Sequence, residues 1–329
     1  MRSHRSRGLI CLIVVFVLLS FSSWERSGAE EAGKMDLSAT LKYVEDWASR
    51  DSFPDSPSFA YMNVFSRLAL GARLSDAEKS RVVDYLKKCQ KPDGGFVNDP
   101  EIREGAAAGS NIISTCFALS ALDLVNALSA VDREKAVDFV LSLVQNDGAI
   151  KLSGVGVSAN LGTTYYGIRS LHLLKALDKI DRDRAIEYIK SHRAGDRGFG
   201  VLPGKPSALQ ATFMAVKSLS LLDALSDDIR AEVGRYLGEP PYSSLSELGN
   251  IALMNMENMA CVLETAALVA ALPQFNTDKI KEFVESRYVP DNGGFGPSAG
   301  LGTTPPSTFY AVRCLVELGL LADPFPAGR

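Results

Sequence analysis

At 329 residues, with 46% hydrophobic and 22% charged side chains and a formal net charge of −4, the chain can bury a sizeable core and is neither disordered nor collagen-like in composition. That length fits one large domain or two. The acidic balance argues against nucleic acid as the main partner.

Residues 1–29 read as a secretory signal peptide. Arg2, Arg5 and Arg7 precede an apolar run over 9–21, and Ser27-Gly28-Ala29 offers small residues for cleavage. The run is short for a membrane span, which needs about 20 apolar residues, so an uncleaved N-terminal membrane anchor is the alternative. Removing the segment takes away four Arg and one Glu and leaves 31 basic and 38 acidic side chains, a net charge of −7. The expected mature protein is a single domain over 30–329, secreted or periplasmic. Its cysteines, Cys89, Cys116, Cys261 and Cys314, are widely spaced within apolar helical patterns and read as buried thiols, with a single bridge as the alternative in an exported chain. Their spacing does not resemble a zinc knuckle.

Six helical hairpins of about 40 to 55 residues follow, a period that signals a solenoid or a closed ring. The first pairs an outer arm at 37–49 with an inner arm at 58–70, joined through Pro54 and Pro57. The second opens on a capping box, Ser75-Asp76-Ala77-Glu78, turns at Lys91-Pro92-Asp93-Gly94-Gly95-Phe96, and reaches an inner arm at 112–128 through a Gly/Ala-rich connection at 105–109. The third runs from Asp132 through the turn Asn146-Asp147-Gly148 to an inner arm at 163–177. The fourth starts at Asp181, turns at Asp196-Arg197-Gly198-Phe199-Gly200 and returns over 207–225. The fifth keeps its arms at 226–237 and 257–272, but Glu239-Pro240-Pro241 and a Ser-rich segment replace the glycine turn. The sixth is the most complete: an outer arm at 277–287, the turn Asp291-Asn292-Gly293-Gly294-Phe295-Gly296, and an inner arm containing Thr308-Phe309-Tyr310-Ala311-Val312-Arg313-Cys314-Leu315.

Where the turn is present, glycine ends the outer helix, Asp or Asn satisfies turn backbone groups, and Phe96, Phe199 and Phe295 should plug the grooves between hairpins. No strand pattern precedes the G-x-G fragments, so they do not mark a nucleotide site. Polar outer arms around apolar inner arms predict an all-α fold, an α6/α6 toroid of two concentric helical rings.

The turn glycines, the hairpin order and the phrase from Leu174-Lys175-Ala176-Leu177 through Ala185-Ile186-Glu187-Tyr188 resemble β-subunits of protein prenyltransferases, the type II (Rab) geranylgeranyl transferase β-subunit most of all. The resemblance covers about 75–320 and implies a toroid whose central funnel holds an isoprenoid. It also implies zinc held by an Asp-x-Cys pair on the fifth inner helix and a His on the sixth. This chain departs at each point: the fifth reads Met259-Ala260-Cys261-Val262-Leu263-Glu264, the His position is Ser307, and the mature histidines, His172 and His192, lie elsewhere. Cys261 and Glu264, one helical turn apart, could supply two improvised metal ligands; buried thiol and cap are the plainer readings. The family's diphosphate-binding His falls here at Ser207 or Ala208, and no Lys or Arg lies between Tyr236 and Asp278, a span that holds Glu239, Glu247, Glu257, Glu264 and Asp278. Burying a multiply charged phosphate without cations would cost several kcal/mol or more. No cofactor is expected, zinc included. Related terpene cyclases carry an Asp-x-Asp-Asp acid motif and complement thioester domains a Gly-Cys-Gly-Glu-Gln motif; neither is present, and the adjacent pair Asp227-Asp228 opens an outer helix.

Aligning three inner arms puts Arg169, Lys217 and Arg313 in one register, where the family commonly has small residues. Facing the funnel, they would hold an acidic head group, with Tyr165, Tyr166, Phe309 and Tyr310 supplying aromatic contacts. The alternative is that each stem lies along a hairpin interface with its charge at a rim. Thr163-Thr164 and Thr303-Thr304 read as inner-helix caps. The functional expectation is a secreted, non-zinc toroid binding an apolar or amphiphilic small molecule. The alternatives are a divergent prenyltransferase-like enzyme, with a partner subunit supplying missing groups, and a structural ring that engages a protein partner at its rim.

Overall fold

The computed structural model describes residues 35–102, 109–154, 158–239 and 255–325. The expected signal peptide at 1–29, most of the connection at 105–109 and the Pro-Pro and Ser-rich segment of the fifth hairpin lie outside the described residues. From Asp36 onward the chain forms one unit.

Outer helices α1 (Leu37–Ala48), α3 (Asp76–Cys89), α5 (Arg133–Ser142), α7 (Arg182–Lys190), α9 (Asp227–Leu237) and α11 (Thr277–Glu285) alternate with inner helices α2 (Pro57–Ala69), α4 (Ile112–Leu124), α6 (Leu161–Leu173), α8 (Leu209–Leu221), α10 (Met256–Leu268) and α12 (Pro305–Glu317). Each inner helix packs on the next, and α12 packs back on α2, so the inner ring is closed. The described residues contain isolated bridges but no strand.

Local chemistry starts the helices where the sequence signals them. Asp36, Asp132, Asp181 and Asn276 cap outer helices with side-chain oxygens, and Ser75 with Glu78 forms the expected reciprocal box. Asn111, Asn160, Asn255 and Thr304 do the same for inner helices.

The inner arms stop four residues earlier than their apolar patterns suggest, at 124, 173, 221 and 268 rather than 128, 177, 225 and 272. Leu128, Leu177 and Leu272 instead open short 3-10 turns. The cause is a left-handed residue two places past every inner helix: Gly71, Asn126, Lys175, Asp223, Ala270 and Gly319, with φ between 52° and 85°. The following N–H then reaches back to the helix, as in Ala127 N to Leu122 O at 2.8 Å and Ala176 N to Leu171 O at 2.8 Å. Only two of the six are glycine, so the helix stop is poorly marked in the sequence.

Phe96, Phe199 and Phe295 are fully buried plugs, with Ile150 in the third hairpin. Each offers its backbone N–H to a buried threonine fourth along the next inner helix: Phe96 to Thr115 Oγ1 (3.0 Å), Ile150 to Thr164 (3.1 Å), Phe199 to Thr212 (2.9 Å) and Phe295 to Thr308 (2.9 Å). Thr164 is therefore a turn clamp and not a cap, whereas Thr163 and Thr304 serve as caps. Met259 holds the fourth place in the fifth hairpin, where the glycine turn is lost.

Gly94, Gly148 and Gly293 take positive φ where the turn meets the next outer helix. At Gly293 the neighbour is α1: a Cβ there would lie 2.3 Å from Ala39 O. The last turn thus closes the outer ring against the first helix.

Candidate functional site

Counted from the start of each inner helix, Phe65, Ser120, Arg169, Lys217, Glu264 and Arg313 all stand ninth, and the rings Tyr61, Tyr165, Phe213 and Phe309 stand fifth. Neighbouring helices run parallel and in register, so equal positions meet and four residues separate the layers by about 6 Å. Tyr61 meets Phe309 at 5.6 Å and Tyr165 meets Phe213 at 5.9 Å between ring centres.

The sixth position adds Met62, Phe117, Tyr166, Met214 and Tyr310, all half-buried, beside the buried Cys261. Phe117 and Tyr166 lie 5.8 Å apart, and Tyr166 and Tyr310 each pack on the preceding ring of their own helix. Five large apolar side chains left partly open make an aromatic collar.

The ninth layer is ionic. Arg313 grips Glu264 at two points, Nη2 to Oε2 at 2.5 Å and Nε to Oε1 at 3.0 Å, and Lys217 Nζ lies 3.8 Å from the same carboxylate. Glu317 adds a contact to Arg313 at 3.5 Å, and the guanidinium lies 4.8 Å from the Phe65 ring centre. Burial pushes the Glu264 carboxyl up, but Arg313 and Lys217 outweigh it and hold the group below the usual carboxylate range. Glu317 moves the other way, raised by burial and by Glu264 despite Arg313. For Lys217 burial lowers the ammonium's pKa, opposed by Glu264 and reinforced by Arg313 and Arg169.

Arg169 completes the layer through phenols, donating to Tyr165 at 3.0 Å and Tyr61 at 3.4 Å, with the Tyr61 ring centre 5.5 Å away. Burial pushes the Tyr165 phenol up to about 12, so it is a neutral partner at physiological pH. Arg169, Lys217 and Arg313 share a small cavity of about 60 Å³ with Glu264, Glu317 and the segment after α12. The three cations come together inside the ring and do not lie along separate hairpin interfaces.

Of the seven expected ligand residues, the structure places Tyr165, Phe309, Arg169, Lys217 and Arg313 in these two layers and Tyr166 and Tyr310 in the collar. Glu264, which the sequence pattern offered only as an improvised metal ligand, is the counter-charge. The register that aligns Arg169, Lys217 and Arg313 puts Glu264 in the same place on α10, a signal that the spacing of the inner arms carries by itself. Tyr61 and Phe65 on the weakly marked first hairpin, and Phe325 after the last helix, also join the site without having been expected there.

The family known as the prenyltransferase alpha-alpha toroid domain matches residues 45–240 and 243–325 of this sequence. The chain belongs to that family. Among solved structures this toroid is similar to a Candida albicans protein geranylgeranyltransferase-I complexed with GGPP, at 15% identity over 87% of this chain and 92% of the other, with a TM-score of 0.72. It is similar also to a type II terpene cyclase from Scytonema in complex with geranylgeranyl dihydroxybenzoate, at 12% identity over 86% and 95% of the two chains and a TM-score of 0.57. An Actinoplanes protein gives 14% identity, 86% and 100% coverage and a TM-score of 0.59. These identities establish a shared toroid fold, not a shared reaction. In sequence, the toroid is 25% identical over 100 residues to the Pisum sativum protein farnesyltransferase subunit beta; the match spans 30% of this chain and 23% of that relative.

Proposed function

We propose that this toroid is a ring-shaped binding protein that takes an apolar or amphiphilic, isoprenoid-like ligand against the aromatic collar, without turnover. The observation that carries the reading is the contrast between adjacent layers. The collar leaves Phe117, Tyr166, Met214 and Tyr310 half-buried, while in the ionic layer beneath it Glu264 and Glu317 answer Arg313 and Lys217, and Arg169 is held by tyrosine hydroxyls. A collar of that kind rewards apolar contact. With Arg313 and Lys217 committed to Glu264 and Arg169 held among phenols, the floor offers little free charge to a diphosphate, so the ligand's head should be neutral, for example an alcohol. An acidic head group reaching the layer from the collar would compete with Glu264 for Arg313.

A zinc-dependent transfer has less support in the residues at hand. Glu264 is committed to Arg313, burial first and then Glu264 and Glu257 push the Cys261 thiol up, and the Ser307 hydroxyl accepts from Thr304 at 2.7 Å within a helix cap. Among the described residues no three His, Cys, Asp or Glu side chains gather as a metal site. This donor set does not fit zinc. The likeness to type II geranylgeranyl transferase β-subunits in the 174–188 phrase belongs to the same reading, as shared ancestry without shared chemistry. Export through the 1–29 signal belongs to it too, and N-terminal sequencing of protein from its host would test that step.

Native mass spectrometry and thermal shift with geranylgeraniol and geranylgeranyl diphosphate test the function. The alcohol should bind and stabilise, the diphosphate less, and neither effect should need zinc. Replacing Tyr166 and Tyr310 by Ala should remove the shift. Absence of any shift would favour a ring filled by its own side chains that acts as a structural interaction module, and zinc-dependent transfer to a thiol peptide would establish the enzyme reading.

A further inference from the structure

We propose that the ring's other mouth, at the C-terminal ends of the inner helices, is a binding site for a peptide segment carrying an aromatic residue shortly after a carboxylate, and that the chain fills it in cis with Asp323-Pro324-Phe325.

The geometry starts at the end of α12. Gly319, at φ 71°, turns the chain out of the helix, and Leu320 and Leu321 return their N–H groups to Leu315 O at 2.9 and 3.2 Å. The segment then crosses the mouth to helices distant from α12 in sequence. The Phe325 ring lies 6.0 Å from Phe65 and 6.4 Å from Tyr61 on α2, and the Arg169 guanidinium on α6 lies 5.8 Å from its centre. Asp323 and Phe325 line the same cavity of about 60 Å³ as Arg169 and Lys217. The Phe325 ring thus meets a cation and aromatic rings of the mouth, and Asp323 stands two residues before it on the rim of a cavity that holds Arg169 and Lys217, the arrangement that recognition of such a peptide would use.

The seat is lightly held. Among the described residues the segment's own hydrogen bond is internal, Phe325 N to Asp323 Oδ1 at 3.0 Å, and Phe325 keeps part of its surface open while Asp323 is exposed. Ring contacts rather than backbone pairing keep it in place, so a second segment of the same chemistry can exchange with it. This proposal is independent of what the aromatic collar binds.

Fluorescence anisotropy with a labelled Leu-Leu-Ala-Asp-Pro-Phe amide peptide tests it on the full chain and on Phe325→Ala. The Phe325→Ala chain should bind at least tenfold more tightly than wild type, a peptide with Asn for Asp should bind several-fold more weakly, and Arg169→Ala in the Phe325→Ala background should abolish binding. Equal binding by both chains, or none by Phe325→Ala, overturns the proposal, whatever geranylgeraniol does at the collar. Should Phe325→Ala not fold, Phe325→Leu keeps an apolar cover, loses the cation contact and takes its place with the same readouts.

Discussion

Arg313 and Glu264, 49 residues apart in sequence and both about nine-tenths buried, form a two-point ion pair that joins the last two inner helices. Removing one partner strands the other. Glu264→Ala should cost about 3–5 kcal/mol, because Arg313 and Lys217 are left uncompensated, whereas replacing Glu264, Lys217 and Arg313 together by Met should be far milder. Urea unfolding of both variants checks this, and a loss below about 1 kcal/mol for Glu264→Ala would mean that water reaches the layer freely.

Glu317 predicts a pH dependence of opposite sense to an ordinary surface acid. Its folded pKa is raised above 4.5 by burial and Glu264, so its contribution is favourable below the unfolded value and is lost as pH rises through the folded one. Glu317→Gln should therefore raise the Tm at pH 8 and matter less at pH 4. Thermal melts across that range decide it, and a Tm that falls at pH 8 would show that the 3.5 Å contact with Arg313 outweighs the burial of the charge.

The threonine clamps should behave as one class. Thr212→Val and Thr308→Val each leave a buried Phe N–H without its acceptor and should cost about 1–3 kcal/mol, while Thr→Ser keeps the bond and should cost less. The N–H groups of Phe199 and Phe295 should also exchange faster in the valine variants, as amide exchange would report.

Ring closure is testable at two glycines with similar backbone angles. Gly293 and Gly300 have φ of 79° and 75°, but a Cβ at Gly293 would meet Ala39 O at 2.3 Å and one at Gly300 meets nothing within 4 Å. Gly300→Ala should cost about 1–2 kcal/mol from the left-handed backbone alone. Gly293→Ala should cost clearly more and free α1 to exchange; similar losses at the two sites would mean that α1 is not locked by the last turn.

Much of this toroid was legible residue by residue, because local chemistry acts over a few positions. Asp, Asn and Ser caps, the Gly-Gly-Phe turns and the apolar inner arms specify six hairpins, and the common register of Arg169, Lys217 and Arg313 marks the layer that matters. The ends of the inner helices were less legible. Asn126 and Asp223 are side chains that tolerate the left-handed conformation, but Lys175 and Ala270 adopt it because the Schellman bond and the next hairpin hold them there.

Three features belong to the tertiary structure alone. Closure of α12 on α2 and of Gly293 on Ala39 depends on the summed rotation of six hairpins, a quantity no single repeat encodes. Pairing Arg313 with Glu264 depends on α10 and α12 packing in register, which brings ninth positions face to face in a low-dielectric interior, where each cation's charge must be met. The seat of Phe325 among Tyr61, Phe65 and Arg169 exists only once α2 and α6 stand on one ring. The sequence alone determined the hairpins and the kind of side chain each layer would carry; tertiary contact decided which charges answer one another, because an ion pair's partners are set by distance in space and not along the chain.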